Sequence, residues 1–303
     1  MTPHIAVLLQ PILEHLLPAQ RVIDGTLGAG GHSRALLEQG ADTVLGLDLD
    51  PQAIALATTH LASFGPRAVI RQASYEHMTQ EAARLEWDQV DAILLDVGVS
   101  SMQLDTAARG FAFMQDGPLD MRFDPFGSRP SAADLVNTYD EPELADLIYQ
   151  YGEEPESRRL ARIIVAARPY TTTRQLATVI EAARPRRKGD KIHPATRVFQ
   201  ALRIAVNDEL GTIERTLPIA MNLLRPGGRL AVISFHSLED RIVKQTFRQA
   251  ATDCICPPKT PICVCGHTAT IRLLTHKPIM ADDTEIANNP RSRSAKLRII
   301  EKL

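Results

Sequence analysis

The stretch VIDGTLGAGGHS, residues 22–33, decides how this chain is read. A short apolar run ends in an acid, Asp24, and glycines follow at 25, 28, 30 and 31. A helical pattern then begins at Ser33, read here as its N-cap. Strand, glycine loop and helix in that order open a nucleotide-binding α/β unit. Glycine tolerates positive φ and lets a ligand lie against bare backbone, with loop amides and a helix N-terminus facing it.

The segments on either side extend the pattern. TVLGLD at 43–48 reads as a second strand ending in Asp48, with Asp50-Pro51 opening the next helix. An acid at that strand tip, twenty residues after Gly28, suits both hydroxyls of a ribose. A third strand near 68–71 is followed by Tyr75, placed either to flank a purine or to pack half-buried. A fourth strand, 90–96, again ends in an acid, Asp96, and LRPGGRLAVIS at 224–234 is a turn feeding a fifth. Polar residues at the carboxyl ends of such strands meet in one crevice, where open α/β sheets bind ligands. The glycine spacing departs from G-x-G-x-x-G, and no G-x-x-x-x-G-K-[ST] loop is present. Asp24 beside the loop suits a ligand with a cationic tail, such as the amino group and sulfonium of S-adenosylmethionine. The LRPGG turn also resembles that of class I methyltransferases. The expected fold is therefore α/β: a class I (Rossmann-like) methyltransferase sheet with a helical domain inserted between the fourth and fifth strands. The expected domains are a core of 1–105 and 206–303 and an inserted, substrate-binding domain of 106–205.

At 303 residues the chain can bury a substantial core, and 44% hydrophobic with 23% charged residues is ordinary for a soluble protein. No uncharged run approaches the roughly 18 residues of a membrane helix. No signal-peptide pattern opens the chain, so a cytoplasmic protein without membrane partners is expected. A net charge of −2 means that any nucleic-acid surface must be local. One segment qualifies: 134–156 carries eight acids and no Lys or Arg, whereas 156–203 carries twelve bases against three acids. The sharpest basic run is RPRRKGDK at 184–191, and so lopsided a segment is read as a polyanion surface.

The remaining segments are less regular. RGFAFMQDGPLDMRFDP, 109–125, has neither strand nor helix period and is read as a lid or substrate-binding segment. A single long helical pattern is expected over 194–224, and SFHSLED at 234–240 has Ser-x-x-Glu/Asp cap spacing. Ser234 and His236 are expected to point into the Asp96 crevice. A short helix before Pro18, with His4 as a surface residue ahead of it, and closing strands at 271–274 and 297–300 complete the chain. All four cysteines fall in one segment, as Cys254-Ile-Cys256 and Cys263-Val-Cys265. Two C-x-C pairs suit a tetrahedral zinc, with reduced thiols or a loop disulfide as the alternatives. No metal is assigned to the functional site.

Several long motifs resemble one family, the ribosomal RNA small subunit methyltransferase H (MraW) family. They are HIAVLL at 4–9, DGTLGAGGHS at 24–33, DLDP at 48–51, LLDVGVSS at 94–101, RGF at 109–111 and GPLDMR at 117–122. They continue with YGEE at 151–154, HPATRVFQALR at 193–203, residues 234–244 and NPRSRSA at 289–295. The resemblance implies methylation of a cytidine N4 amino group in 16S rRNA, with S-adenosylmethionine as cofactor. It places cofactor contacts on Gly30, Gly31, His32, Asp48, Tyr75, Asp96 and Gln103. Tyr75 stands where the family often has phenylalanine, and Ala6 where it usually has proline. The cysteine segment occurs in only some relatives.

An amino-group methylation must hold a poor nucleophile at about 3–3.5 Å and accept its hydrogens. Asp96 is the candidate catalytic residue, with neighbouring backbone carbonyls as alternative acceptors. The D-P-P-Y type motif of many amino-group methyltransferases is replaced by DVGVSS, so Phe113, Met121 or Phe235 is expected to flank the base. Arg122 and His236 are candidate substrate contacts, with core or salt-bridge roles as the alternative. The expected partner is small-subunit rRNA or the small ribosomal subunit, and a homodimer stays open. Two other classes are carried: a non-catalytic rRNA-binding assembly factor and a dinucleotide-dependent oxidoreductase.

Overall fold

Fully buried parallel strands need apolar residues on both faces, and the strands here supply them. In the computed structural model, which describes residues 6–185, 192–257, 260 and 262–303, seven strands form one sheet. They are β1 (Arg21–Asp24), β2 (Thr43–Asp48), β3 (Ala68–Gln72), β4 (Val90–Asp96), β5 (Leu224–Ser234), β6 (Ile271–Leu273) and β7 (Lys296–Lys302). Their order is β3-β2-β1-β4-β5-β7-β6. The first five run parallel, and β7 is antiparallel to both its neighbours. Because side chains alternate, Ile23, Leu45, Leu47, Ile93 and Leu95 face one layer while Val22, Val44, Ala92 and Leu94 face the other.

The chain divides into two compact units, one of Met1–Gly98 with Leu210–Leu303 and one of Val99–Glu209. In the first, α1 (Leu9–Leu16), α2 (Gly31–Glu38) and α3 (Pro51–His60) cover one face of the sheet. The other face is covered by α4 (Met78–Ala83) and, after the insertion, by later helices described below. The second unit holds α5 (Ser101–Asp105), α6 (Ala132–Thr138), α7 (Glu141–Gly152), α8 (Ser157–Ala166), α9 (Thr173–Ala183) and α10 (Ala195–Asn207). Leu144, Ile148, Leu160, Ile164, Leu176, Ile180, Val198 and Leu202 build its core. The helices α11 (Glu209–Leu223), α12 (Ser237–Ala250) and α13 (Asp283–Asn288) follow. Ile213, Leu217, Val243 and Phe247 of α11 and α12 pack on the second face of the sheet. The helical insertion thus lies between the fourth and fifth strands, as the sequence predicts. Among the described residues no helix is long and apolar enough to cross a membrane.

One expectation is corrected. The pattern over 194–224 is two helices, because Asp208 takes a left-handed conformation (φ 52°) and ends α10. Residues 109–125 are a cross-linked loop of the second unit. Arg109, buried, donates to the carbonyls of Arg122 and Phe123, both at 2.9 Å. Leu119 N donates to Thr171 O, and Ala132 N and Ala133 N to Asp120 O and Leu119 O. Asn207 accepts from Phe123 N and donates to Met121 O. His4 and residues 186–191 lie outside the described residues.

Candidate active site

The strand order reverses between β1 and β4, so the crevice outside their carboxyl ends is the place where such sheets take ligands. The glycine loop fills that position. Gly25 N donates to Leu94 O and Leu27 N to Leu47 O, both at 2.9 Å, which sews the loop to β4 and β2. A Cβ at Gly25 would lie 2.6 Å from Leu95 Cδ2 and 3.0 Å from Tyr75 Cβ, so bare backbone is required there. Gly30 (φ 84°) is the N-cap of α2, three residues earlier than the expected cap at Ser33. Ser33 lies inside the helix, and its hydroxyl donates to Asp24 Oδ2 at 2.7 Å. Asp24 Oδ1 accepts from Thr26 N at 3.2 Å. Asp24, which the sequence suggests for a cationic ligand tail, therefore holds the loop itself; its burial pushes its carboxyl upward.

Two further strand-end acids differ from Asp24. Asp48 accepts from Gly28 N through Oδ2 and from Asp50 N through Oδ1, each at 2.8 Å. Burial pushes its carboxyl up to about 6, against the pull of those two amides, and the charges of Asp50 and Asp24 add to the rise. Asp96 is fixed through its backbone, whose N–H donates to Thr26 Oγ1 at 2.6 Å. Its Oδ2 lies 3.9 Å from His32 Nδ1, and its Oδ1 has no hydrogen-bond partner among the described residues. Burial pushes Asp96 up to about 6; His32 opposes this, while Asp24 and Glu239 reinforce it. His32 Nε2 meets Val7 O at 2.9 Å, which assigns that nitrogen the proton and aims Nδ1 at Asp96.

The charge of Asp24 raises both Asp48 and Asp96, so the three strand-end acids form one acidic cluster. It would repel the pyrophosphate of a dinucleotide and attract a cation. Asp48 retains lone pairs for hydroxyl donors beyond its two amide bonds.

The MraW methylase family model matches residues 1–303. The chain belongs to the MraW methylase family. It is 52% identical over 305 residues to a ribosomal RNA small subunit methyltransferase H from Dehalococcoides mccartyi, covering 99% of this chain and 87% of that protein. It is 52% identical over 308 residues to the protein of the same description from Geobacter sulfurreducens, covering 99% of each. A solved rRNA methylase from Streptococcus thermophilus superposes with a TM-score of 0.42 at 10% identity, covering 96% of this chain and 92% of that one.

In this MraW family member the expected site residues fall into both units. The first unit brings together the glycine loop with Gly30 and Gly31, His32, Asp48, Tyr75 and Asp96. His236 belongs to the same unit and is the N-cap of α12, one residue earlier than a cap at Ser237. Its Nδ1 accepts from Glu239 N at 3.4 Å, and its Nε2 lies 2.9 Å from Glu239 Oε1. Buried Glu239 also accepts from Phe235 N at 2.7 Å and His236 N at 3.1 Å. Ser234 does not face the crevice: it is buried, with its hydroxyl 3.5 Å from Lys296 O of β7. Of the residues expected to flank a base, Phe235 is half-buried, 3.5 Å from where a Gly98 Cβ would stand.

The other expected residues lie in the second unit. Gln103 is buried, and its Oε1 accepts from Ser100 N at 3.0 Å in a capping box of α5. Its assignment to the cofactor rests on the resemblance alone. Arg122 forms a two-point pair with Asp120 at 2.9 and 2.7 Å and donates to Gly127 O at 3.1 Å. Met121 is fully buried, whereas Phe113 is half-buried with its ring packed on Phe199 and His193. The charge division of this unit is partly internal. Glu154, buried, lies 3.3 Å from Arg197 and 3.9 Å from Arg184, while Asp140 and Glu143 form the capping box of α7.

Sequence reasoning missed Thr26, Ser33, His60 and Glu239, which hold the site in place. His60 Nδ1 meets Ala29 O at 2.9 Å, tying α3 to the loop. No periodicity marks such residues, since each acts through a single polar contact. Only the position of Thr26 and Ser33 inside the glycine stretch was a signal.

Proposed function

We propose that this chain transfers a methyl group from S-adenosylmethionine to the N4 amino group of a cytidine in small-subunit (16S) ribosomal RNA. The observation that carries the reading is Asp96, a deep-set carboxylate with one uncommitted oxygen beside a glycine loop. Small-subunit rRNA as substrate is supported by the descriptions of the two half-identical relatives. The residues present fit the cofactor: a glycine loop pinned to the ends of β4 and β2, an acid at the tip of β2, and a buried carboxylate oxygen of Asp96 without a partner among the described residues.

When bound, S-adenosylmethionine supplies a methyl carbon made electrophilic by its sulfonium. In this reading Gly30 and Gly31 offer backbone to it, Asp48 accepts the ribose hydroxyls and Tyr75 flanks the adenine. His32 and Asp96 face its charged end. The cytidine N4 lone pair is delocalised into the ring, so the protein must draw off a hydrogen as the new bond forms. Asp96 Oδ1 accepts that proton, the other oxygen of the same carboxyl group lying on the His32 side. Phe235 flanks the base, and Arg122 and His236 are proposed contacts of the RNA. The base must be splayed out of its stack to reach the crevice, which favours a single-stranded or loosened target.

The reading is tested with tritiated-methyl S-adenosylmethionine and small ribosomal subunits from cells lacking this protein, followed by nucleoside analysis. Label in N4-methylated cytidine is expected. Label in another nucleoside would move the target atom. Cofactor binding with no label would replace the enzyme by an rRNA-binding assembly factor.

A further inference from the structure

Between α12 and β6 the described residues form no helix or strand, and all four cysteines lie in this segment. The base of this loop is tied by protein contacts. Thr270 N donates to Ala250 O at 2.9 Å, Ala269 N to Asp253 Oδ1 at 3.1 Å, and His267 Nδ1 meets Thr252 O at 2.7 Å. Towards the tip, the sulfur atoms gather instead. Cys263 and Cys265 are 3.5 Å apart, Cys254 and Cys265 3.9 Å, and Cys256 and Cys263 4.0 Å. All four sulfurs lie within 4.8 Å of one another.

Burial does not explain this gathering. Free cysteine behaves as a small hydrophobe and is usually buried. Here Cys254 and Cys263 are exposed and the other two half-exposed. Meanwhile the larger apolar neighbours Ile255, Ile262 and Val264 are 45%, 76% and 83% exposed. A loop folded by the hydrophobic effect would turn the isoleucines and valine inward first. This one turns its thiols toward one another and its aliphatic side chains out. The organising attraction therefore belongs to the sulfurs.

The distances say what kind of attraction it is. A disulfide needs sulfurs at about 2.0 Å. Four thiolates at about 2.3 Å from one tetrahedral ion stand about 3.8 Å from each other. The three separations of 3.5, 3.9 and 4.0 Å straddle that value. Ile255 N donates to Cys265 Sγ at 3.5 Å, an amide aimed at a sulfur as it would be at a thiolate ligand.

We propose that Cys254, Cys256, Cys263 and Cys265 bind one zinc ion in a closed four-thiolate site that clasps the loop between α12 and β6. Four protein ligands leave no open coordination position, so the site is structural. The thiols give up their protons as the metal binds, and the binding energy orders a loop whose own burial is small.

The test uses the full chain, expressed without added metal and purified under reductant with no chelator. Elemental analysis should find about one zinc per chain, the stoichiometry of a single closed site. The double variant Cys263→Ser/Cys265→Ser should lose it. If that variant fails to fold, cobalt exchange into the unaltered protein decides. Thiolate-to-cobalt charge transfer with the visible bands of a four-sulfur tetrahedral site supports the proposal. A folded protein that contains no zinc and gives no such spectrum overturns it. So does iron in place of zinc, or a mass two hydrogens light for each pair of cysteines.

Discussion

The carboxyl ends of β2 and β4 carry the same residue type, and burial drives both Asp48 and Asp96 to about 6, yet their oxygens are used differently. Asp48 takes one backbone amide on each oxygen and so belongs to the loop geometry as much as to any ligand. Asp96 is anchored through its backbone by Thr26, faces His32 on one side, and keeps its other oxygen uncommitted. Equal titration does not mean equal function. A satisfied acid is suited to holding; an acid with a free oxygen is suited to accepting a proton.

The sharpest way to break that comparison is to remove each charge in turn. Asp96→Asn keeps shape and loses the acceptor. Turnover at saturating cofactor should fall about 10²–10⁴-fold, the usual range for a lost general base, over and above any weakening of cofactor binding. The same variant should be more stable. A carboxyl raised from 3.8 to about 6 opposes folding when ionised, by up to about 3 kcal/mol above pH 6. That gain should fade as pH falls from about 6 towards 3.8, because the native residue is then neutral too. Calorimetry at pH 8 and pH 5 reads it; a destabilised variant at pH 8 would sink the assignment of a strained, buried charge.

Asp48→Asn should show the reverse division. Losing a charged acceptor of two amides and of the proposed ribose costs about 1.5–3 kcal/mol in cofactor binding, roughly 10- to 150-fold in Kd. Turnover at saturating cofactor should stay within a few-fold. Isothermal titration and initial rates separate the two, and equal losses in both variants would erase the distinction.

The smallest effect is the pH dependence of the unaltered enzyme. Asp96 must be ionised to accept a proton, so the saturated rate should fall as pH drops through about 6, reaching about tenfold per unit well below it. Asp96→Asn should lack that limb. Asp48 titrates in the same range, but its protonation should appear in cofactor affinity and not in the saturated rate. A saturated rate flat down to pH 5 would argue against Asp96 as acceptor.

How much of this was visible in the sequence follows from where the information lies. Asp24, Asp48 and Asp96 could be placed at strand ends because a strand buried on both faces reads as an apolar run, and each run stops at an acid. What those acids do could not be read. Asp24 and Asp96 look alike in sequence, but Ser33 and Thr26 saturate the first. Ser33 has a good cap's composition, yet the left-handed Gly30 starts the helix before it. Residues 109–125 lack periodicity because their order comes from Arg109 and Asn207 bonding to loop carbonyls and amides, contacts with no repeating spacing. The break at Asp208 carries no glycine to announce it. The place of β7 between β5 and β6 depends on a return of the chain that local pattern does not encode.

The insertion between β4 and β5 has a consequence for synthesis. Strand β4 pairs with β1 on one side and β5 on the other, and everything in Val99–Glu209 is translated before β5 exists. At roughly 5–20 residues per second, the β4 edge waits several seconds to tens of seconds for its partner. Through that interval the nascent chain displays an apolar strand with open hydrogen-bonding groups, the kind of edge that recruits other strands. Ribosome pausing within the insertion, or a shortage of chaperone at that moment, therefore translates into lost yield, before any property of the finished enzyme comes into play.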